Sequence, residues 1–412
     1  MSSLKYALFG MLFFQITCRC IINWMPSFGL SLISTIIVGM GYLCTLFCIS
    51  KLSVKNIPGS IKKLSFLFCV YTTFVTFQLY ISPTIKLDFM SCVPTSIQSY
   101  LSGSVIMLLM MLSVGLIRKY LNTILFAKIT SLLIVLFLVA YHFRIGFEWY
   151  ALSYGKNLND IKNFVPPGYV DSLQMGNYIG LLLTCSLFLA DKWTKNRFIN
   201  ILISFVIGLL CLIIDFIMIE RGPVLFQLVT IFIFLYSKRI ISKRNTIGII
   251  SFLIILFIFN SFILEKLSIM SPEMMEKISE TIETGGNGRL GSEYSVFSCA
   301  IEQIFNYPLF GSHCRMTHVV WQGSYPHNIF LELLMTFGAV FAIPTMFFML
   351  KAFINAFRML RDNTQDSLFA LIYILTTLCL LTSNSILENL QFWVPFAYVL
   401  SYPQLKKRLK KI

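Results

Sequence analysis

The sequence predicts an all-α polytopic membrane protein with about 12 transmembrane helices and one long polar loop. Of its 412 residues, 57% are hydrophobic and only 12% are charged, whereas a soluble domain carries roughly 25% charged residues. The mean hydropathy is +0.78. Because a helix needs about 20 apolar residues to cross a bilayer, the chain is expected to form a single integral membrane domain, residues 1–412.

Twelve apolar stretches approach the length of a membrane span, and polar or basic connections separate them. The tenth stretch contains Pro344, which predicts a break in that helix because proline removes one helical hydrogen bond. In chain order the stretches are Tyr6–Ile22, Phe28–Ser50, Leu64–Ile81, Ser96–Ile117, Thr123–Tyr141, Ser172–Ala190, Phe198–Ile217, Pro223–Tyr236, Thr246–Leu264, Asn328–Leu350, Asp366–Ile386 and Asn389–Tyr402.

The charges alternate from loop to loop in the way that this topology requires. With the N-terminus inside, about two thirds of the 33 Lys and Arg residues fall on the inner side, and most of the 18 acidic residues fall on the outer side. Basic residues concentrate in cytoplasmic loops of membrane proteins. The net charge of +15 is therefore a topology signal and not a nucleic-acid surface, and both termini are expected in the cytoplasm.

Two outer loops are long, residues 142–171 and residues 265–326. Loops beyond roughly 12–15 residues are usually functional or disordered, so the chemistry is expected in the larger one. Within it, Ser271–Glu283 begins with Ser, Pro and early acids, which is a helix start signal. Residues Tyr294–Phe305 carry apolar side chains at a spacing of three to four, which predicts an amphipathic helix on the membrane surface.

Several enzyme classes leave no trace in the sequence. It contains no DxD pair, no P-loop, no GxGxxG after a strand and no HExxH, each of which marks a specific nucleotide or metal chemistry. The 11 cysteines show neither a CxxC pair nor a zinc-like Cys/His spacing. A chain without a metal or a cofactor is therefore expected, and ATP hydrolysis, redox chemistry and zinc hydrolysis are excluded.

Three arginines on the outer side are candidate anion ligands. Arg221 lies in the short turn IERGP with Asp215 about a turn and a half below it, Arg289 follows the glycine run GGNG, and Arg315 lies further along the loop. Guanidinium groups bind paired oxygens in a bidentate way. Because the topology rule disfavours outer arginines, they suggest a ligand such as a lipid-linked pyrophosphate. Snorkelling or solvated arginines are the alternative explanation.

His327 is the candidate general base, because an imidazole with a pKa near 6.5 can take up a proton at neutral pH. It opens the tenth span in the sequence YPHNIFLE. Asn328 and Glu332 follow four residues apart and share one helix face. An acid this close to a span is by default a functional hypothesis. The alternative is a histidine of the membrane-interface belt.

The segment Gly288–Val340 resembles the signature of the bacterial O-antigen polymerase and O-antigen ligase superfamily. The likeness consists of an arginine, an amphipathic helix, a P-L-F-G turn and a Pro-His-Asn that opens a span with Glu and Gly downstream. The turn ERGPVL resembles a second arginine-containing turn of that family, although Glu220 stands where a small residue is commoner. The rest of the chain matches only in span number and loop placement.

The resemblance implies a metal-independent glycosyltransferase of the bacterial inner membrane that uses undecaprenyl-pyrophosphate-linked oligosaccharide at the periplasmic face. Both long loops would then be periplasmic. It implies that Arg221 and Arg289, with Arg315 as a third candidate, hold the donor pyrophosphate. It implies that His327 deprotonates or orients the acceptor hydroxyl. From the residues themselves, Asn328 and Glu332 are expected to support His327, and Asp215 to orient or neutralise Arg221. Membrane lipid and a chain-length regulator protein would be partners.

Two activities fit this resemblance, and a third class of protein stays open beside them. A polymerase moves a growing glycan from one lipid pyrophosphate onto another lipid-linked repeat unit, whereas a ligase moves the finished glycan onto lipid A–core. The P-L-F-G and Y-P-H-N-I-F-L-E forms favour the polymerase. The alternative from another class is a flippase for lipid-linked oligosaccharide. Transporters tend to show paired broken helices, and Pro344 has no evident partner.

Overall fold

The structure, a computed structural model, is helical throughout the part of the chain that it describes and has no strand there. Several predicted features lie outside the described residues: most of the span Ser96–Ile117, the span Thr246–Leu264, the loop 142–171, the first half of the loop 265–326 with Ser271–Glu283, and Arg289. The described residues are 2–18, 31–52, 57–81, 108–109, 111–141, 172–190, 192–193, 196–217, 221–237, 295–312, 315–362, 365–381, 385–386 and 389–409.

The helices follow the apolar stretches of the sequence. A π-helical segment, Phe13–Cys18, continues the first helix, and a single 3₁₀ turn lies at Val319–Trp321. The α-helices are α1 (Ser2–Leu12), α2 (Ser31–Ser50), α3 (Gly59–Ile81), α4 (Val114–Tyr120), α5 (Thr123–Tyr141), α6 (Ser172–Leu189), α7 (Arg197–Ile217), α8 (Arg221–Ser237), α9 (Val296–Asn306), α10 (Ile329–Arg361), α11 (Ser367–Cys379) and α12 (Leu390–Leu409).

Three of these helices are long and apolar enough to cross a membrane, at Leu32–Ser50, Thr123–Ala140 and Ile329–Arg361. Shorter apolar helices accompany them, among them Met175–Leu189 and Ser367–Cys379. Apolar side chains also remain exposed along the long helices, as expected where lipid replaces water. The chain is thus a helical protein suited to a membrane, and the number of twelve spans stays a prediction.

Three helices depart clearly from the predicted spans: α10, α11 and α12, the last of which continues to Leu409 although its span was expected to end at Tyr402. The tenth span was expected to end at Leu350, but α10 continues to Arg361. It continues because Ala352, Ala356 and Met359 keep an apolar face at helical spacing, and all three are buried. The eleventh span was expected to reach Ile386, but α11 ends at Cys379. The carbonyl groups of Leu380 and Leu381, just past this end, accept hydrogen bonds from Ile329 and Asn328 at the start of α10.

The chain groups into two compact units. The first comprises Met1–Lys51, Lys119–Met275 and Asn363–Leu371. Within it, α6 packs against α5, α7 and α8, and α1 packs against α2. The hydroxyl groups of Thr17 and Thr130 form a buried hydrogen bond of 3.2 Å, which satisfies two polar groups inside an apolar interface.

The second unit comprises Leu52–Arg118, Glu276–Asp362 and Ile372–Ile412. Its central element is α10, which packs against α3, α9 and α12. The Tyr373 hydroxyl donates to the Met349 carbonyl at 2.8 Å, and the Asn355 amide donates to the Val399 carbonyl at 3.2 Å. These buried bonds fix the C-terminal half of α10 against its neighbours, whereas its N-terminal half contributes to the site.

Candidate functional site

Helix α10 is broken at Gly338, where φ is 63° and ψ is 171°. This conformation belongs to a region of backbone space that is essentially restricted to glycine. The sequence predicted a break at Pro344. The break lies six residues earlier, and Pro344 is accommodated inside the helix. A break at this point leaves backbone groups on both sides without their helical partners, and such groups must be paired elsewhere within a membrane.

The turn Pro308–Gly311, which carries the P-L-F-G motif, supplies those partners. The N–H groups of Ala339 and Val340 donate to the carbonyl groups of Pro308 and Leu309 at 2.9 and 3.0 Å. On the other side of the break, the carbonyl of Met335 accepts from the N–H of Ser312 at 2.9 Å. The motif turn and Ser312 thus take up backbone groups that the break has released. The turn and α10 are joined by these hydrogen bonds.

Two glycines make this approach possible. Gly311 has φ of 72° and faces Gly338 across the contact. A β-carbon on Gly311 would collide with the carbonyl of Thr336, and one on Gly338 would collide with the backbone of Leu309 and Gly311. Because backbone atoms cannot move aside as a flexible side chain can, both positions require glycine.

Helix α3 closes the contact with aromatic side chains. The Tyr71 hydroxyl donates to the carbonyl of Thr336 at 3.2 Å, a carbonyl that the break has released from helical bonding. The Tyr71 ring packs edge-on against Phe337, with 4.5 Å between the ring centroids. The Phe74 ring lies 4.7 Å from that of Phe310, which belongs to the motif turn. The break is therefore enclosed on two sides and held in one conformation.

Helix α9 is the amphipathic helix that the sequence predicted, and it buries Val296, Cys299 and Ala300 against Met316 and Met335. Ser295 caps it by accepting from the N–H of Ser298 at 3.2 Å. Phe305 on its other face stays 77% exposed. The two apolar stripes differ in burial, because one packs on the protein and the other faces away from it.

Gln303 of α9 ties the loop that follows the motif turn to this helix. Its side chain is 4% exposed. The amide nitrogen donates to the Ser312 hydroxyl at 2.6 Å and to the Arg315 carbonyl at 3.1 Å. The amide oxygen accepts from the N–H of Thr317 at 2.9 Å. One buried side chain therefore holds both ends of the segment 312–317.

We expect Gln303→Leu to destabilise the protein by about 2–4 kcal/mol, because a leucine leaves buried donors and acceptors of this loop unsatisfied. The measurement is the thermal unfolding midpoint of the detergent-solubilised protein. The matched control is Gln322→Leu, since Gln322 is exposed, and its midpoint should equal that of the wild type. Equal midpoints for both variants would contradict the anchoring role of Gln303.

Arg315, Tyr325 and His327 form a row of three side chains in front of α10. The Arg315 guanidinium lies over the Tyr325 ring, 6.0 Å from its centroid, and donates to the Gly323 carbonyl at 2.9 Å. The Tyr325 ring in turn lies 4.4 Å from the His327 ring. A cation above an aromatic face is attracted by the ring quadrupole. The guanidinium of Arg315, which carries a permanent positive charge, and the imidazole of His327 therefore both lie next to the ring of Tyr325.

The backbone of His327 has φ of 52°, the one non-glycine residue with positive φ among the described residues. Histidine tolerates this left-handed conformation better than most residues do. The side chain is half-buried. Backbone strain of this kind concentrates at functional sites, so the conformation supports the choice of His327 as a site residue.

Asn328 and Glu332 are engaged by the protein itself. Asn328 caps α10, its side-chain oxygen accepting from the N–H groups of Phe330 and Leu331 at 3.0 and 3.2 Å. Glu332 is buried, and its carboxylate accepts from the Ser385 hydroxyl and from the N–H of Ile386. Asn328 therefore fixes the helix start that follows His327, and Glu332 binds residues 385–386.

The structure brings Arg315, His327, Asn328 and Glu332 together in the second unit. Asp215 lies in the last turn of α7, and Arg221 is the first residue of α8, both in the first unit. Arg289 lies outside the described residues. The catalytic and ligand-binding roles of all seven predicted site residues stay predictions. Sequence reasoning missed Tyr325, although the run S-Y-P-H-N places an aromatic ring two residues before the histidine.

No group of three or more His, Cys, Asp or Glu side chains within the described ranges is arranged to hold a metal ion. No protein-family model matches this chain, and no curated protein matches it. The function therefore has to be inferred from the site and from the sequence motif that builds it.

Proposed function

We propose that the chain is a metal-independent membrane glycosyltransferase of the O-antigen polymerase type. It transfers a growing glycan from undecaprenyl pyrophosphate onto a lipid-linked repeat unit at the periplasmic face of the bacterial inner membrane. The observation that supports the proposal is the row of Arg315, Tyr325 and His327 at the N-terminal end of α10, in the same segment whose motif resembles that family.

The chemistry requires a base for the acceptor and positive charge for the leaving group. His327 takes the proton of the acceptor hydroxyl, whose oxygen forms a bond to the anomeric carbon of the donor. The bond from that carbon to the pyrophosphate oxygen breaks, and the pyrophosphate leaves with the electron pair. Arginine side chains, with Arg289 and Arg221 as candidates beside Arg315, stabilise the charge that develops on it. The donor is already activated, so no nucleotide is needed.

A flippase is the alternative from another class, and the broken helix bears on it. In transporters, the ends of discontinuous helices point at the substrate and leave backbone groups to bind it. Here the groups released at Gly338 bind Pro308, Leu309, Ser312 and Tyr71. This pairing favours a rigid enzyme scaffold over a helix break that binds cargo.

The test is reconstitution of the purified protein in liposomes with lipid-linked repeat units and without an energy source. The proposal expects longer glycans on the lipid pyrophosphate. Transfer of repeats to added lipid A–core without elongation would instead identify a ligase. Movement of the lipid across the bilayer without new glycosidic bonds would identify a flippase and overturn the proposal.

Arg289→Ala is expected to abolish detectable elongation, because its guanidinium is proposed to stabilise the departing pyrophosphate. Removing one donor to developing negative charge costs about 10²–10³-fold in rate. Arg289→Lys should recover only part of the rate, since an ammonium lacks the bidentate fork. Elongation rates in the liposome assay measure the effect. Full-length glycan from Arg289→Ala would remove Arg289 from the mechanism.

A further inference from the structure

The first turn of α10 is bonded to the connection between α11 and α12. The N–H of Ile329 donates to the Leu380 carbonyl at 2.8 Å. The Asn328 amide nitrogen approaches the Leu381 carbonyl at 3.5 Å. Both carbonyl groups lie just past the end of α11. The residue before this turn is His327, so the connection and the proposed base share one anchor.

Glu332 lies one turn further along α10, where it completes the same contact. Its side chain is 1% exposed. One carboxylate oxygen accepts from the Ser385 hydroxyl, and the other accepts from the N–H of Ile386 at 3.0 Å. The Ile386 carbonyl is bound in turn by the indole N–H of Trp393 in α12 at 2.9 Å. The carboxylate thus lies at the centre of a chain of bonds from α10 to α12.

A buried carboxylate is costly unless hydrogen bonds compensate for its lost hydration. Glu332 receives a bond at each oxygen, and at 1% exposure its carboxylate is closed to a sugar hydroxyl. Those two facts argue against Glu332 as the group that removes the acceptor proton. They argue for a residue that fixes other parts of the protein.

We infer that Glu332 is a positioning residue: it clamps the α11–α12 connection to the first turn of α10 and thereby sets the place of the His327 imidazole relative to the acceptor. The effect of the clamp on the reaction rests on the proposed function. The clamp itself is a property of the fold and holds whatever the reaction is. A misplacement of about 1 Å in a catalytic group can cost about 100-fold in rate.

Glutamine and alanine separate a positioning role from a catalytic one. In Glu332→Gln, the amide oxygen still accepts from Ile386 and the amide nitrogen can donate to the Ser385 oxygen, but the side chain cannot take a proton. In Glu332→Ala, both partners lose their bond. A positioning residue is therefore rescued by glutamine, whereas a general base is lost equally in both variants.

The experiment measures kcat and KM for elongation in the liposome assay over a range of pH, using wild type, Glu332→Gln, Glu332→Ala and Ser385→Ala. Glu302→Gln is the matched control, because Glu302 is an exposed acid on α9. We expect Glu332→Ala to lower kcat by about 100-fold with KM little changed. Ser385→Ala should lower kcat less. The kcat of Glu332→Gln should stay within about 5-fold of wild type, with the same pH profile.

Three results would overturn the inference, two in activity and one in stability. Glutamine as inactive as alanine, with an altered pH profile, would make Glu332 a proton-transfer group; full activity of Glu332→Ala would show that the clamp does not matter. The thermal unfolding midpoint of each variant is recorded in parallel and is independent of substrate. If wild type fails to elongate, the proposed reaction is wrong. The clamp is still supported in that case if the midpoint falls in Glu332→Ala and not in Glu332→Gln. A midpoint unchanged in Glu332→Ala would refute the clamp.

Discussion

Replacing Gly338 with alanine is expected to abolish elongation and to detach the P-L-F-G turn from α10. The backbone at Gly338 adopts a conformation that alanine rarely reaches. An added β-carbon would also meet the backbone of Leu309 and Gly311. The strain costs about 1–3 kcal/mol, and overpacking against a fixed backbone adds about 1–3 kcal/mol. The easiest way to relieve both is for the turn to move away.

Movement of the turn can be detected at Cys299. This cysteine is 3% exposed on α9 and packs against Met316 and Met335. Burial, with a smaller contribution from the Glu302 carboxylate, raises the pKa of the Cys299 thiol, so the reactive thiolate is scarce at neutral pH. With Cys299 as the single cysteine left in the chain, maleimide labelling should be slow in wild type and fast in Gly338→Ala.

Gly39→Ala is the matched control, because a β-carbon at Gly39 meets nothing within 4 Å. It should leave both elongation and labelling unchanged. Gly311→Ala should reproduce the effect of Gly338→Ala, and the double variant should be little worse than either single variant, since the same contact is lost only once. Fast labelling of Cys299 with normal elongation in Gly338→Ala would show that the docked turn is not required. Slow labelling with normal elongation would show that alanine is tolerated at Gly338 and that the turn stays in place.

Local sequence features predicted the helical class and the bounds of some helices. Helix α5 has the predicted bounds, because a run of apolar residues between polar ends is a property of the segment itself. Helix α9 was likewise visible from its spacing of apolar residues. The break in α10 was placed at Pro344 instead of Gly338, because proline acts within its own helix. The conformation of Gly338 is imposed by contact with a distant turn, which no window of local sequence contains.

For the site, the sequence supplied candidate residues whose roles stay predictions. His327, Asn328 and Glu332 were chosen from residue type and helical spacing, and the structure places all three at the start of α10. Their partners could not be chosen in this way. Ser385 and Ile386 lie inside what the sequence presented as the end of a membrane span, and Gln303 looked like one polar residue on an amphipathic helix. Only packing in three dimensions assigns these residues a task.

His327→Asn is expected to abolish elongation while leaving the fold intact, and it is a sharper test than His327→Ala. The backbone at His327 has φ of 52°, a conformation that asparagine adopts readily and alanine does not. Asparagine therefore keeps the backbone but removes the imidazole. Loss of general base catalysis costs about 10²–10⁴-fold in rate, which takes elongation below detection in a gel of lipid-linked glycans.

The control for this variant is His318→Asn. His318 caps the 3₁₀ turn by accepting from the N–H of Val320 at 3.3 Å, and an asparagine side chain can cap in the same way. His318→Asn should therefore elongate normally, and both variants should protect Cys299 as wild type does. If His327→Asn elongates at the rate of wild type, another group removes the acceptor proton. The row of Arg315, Tyr325 and His327 would then only stabilise the loop. The general base would have to be another residue near the N-terminal end of α10.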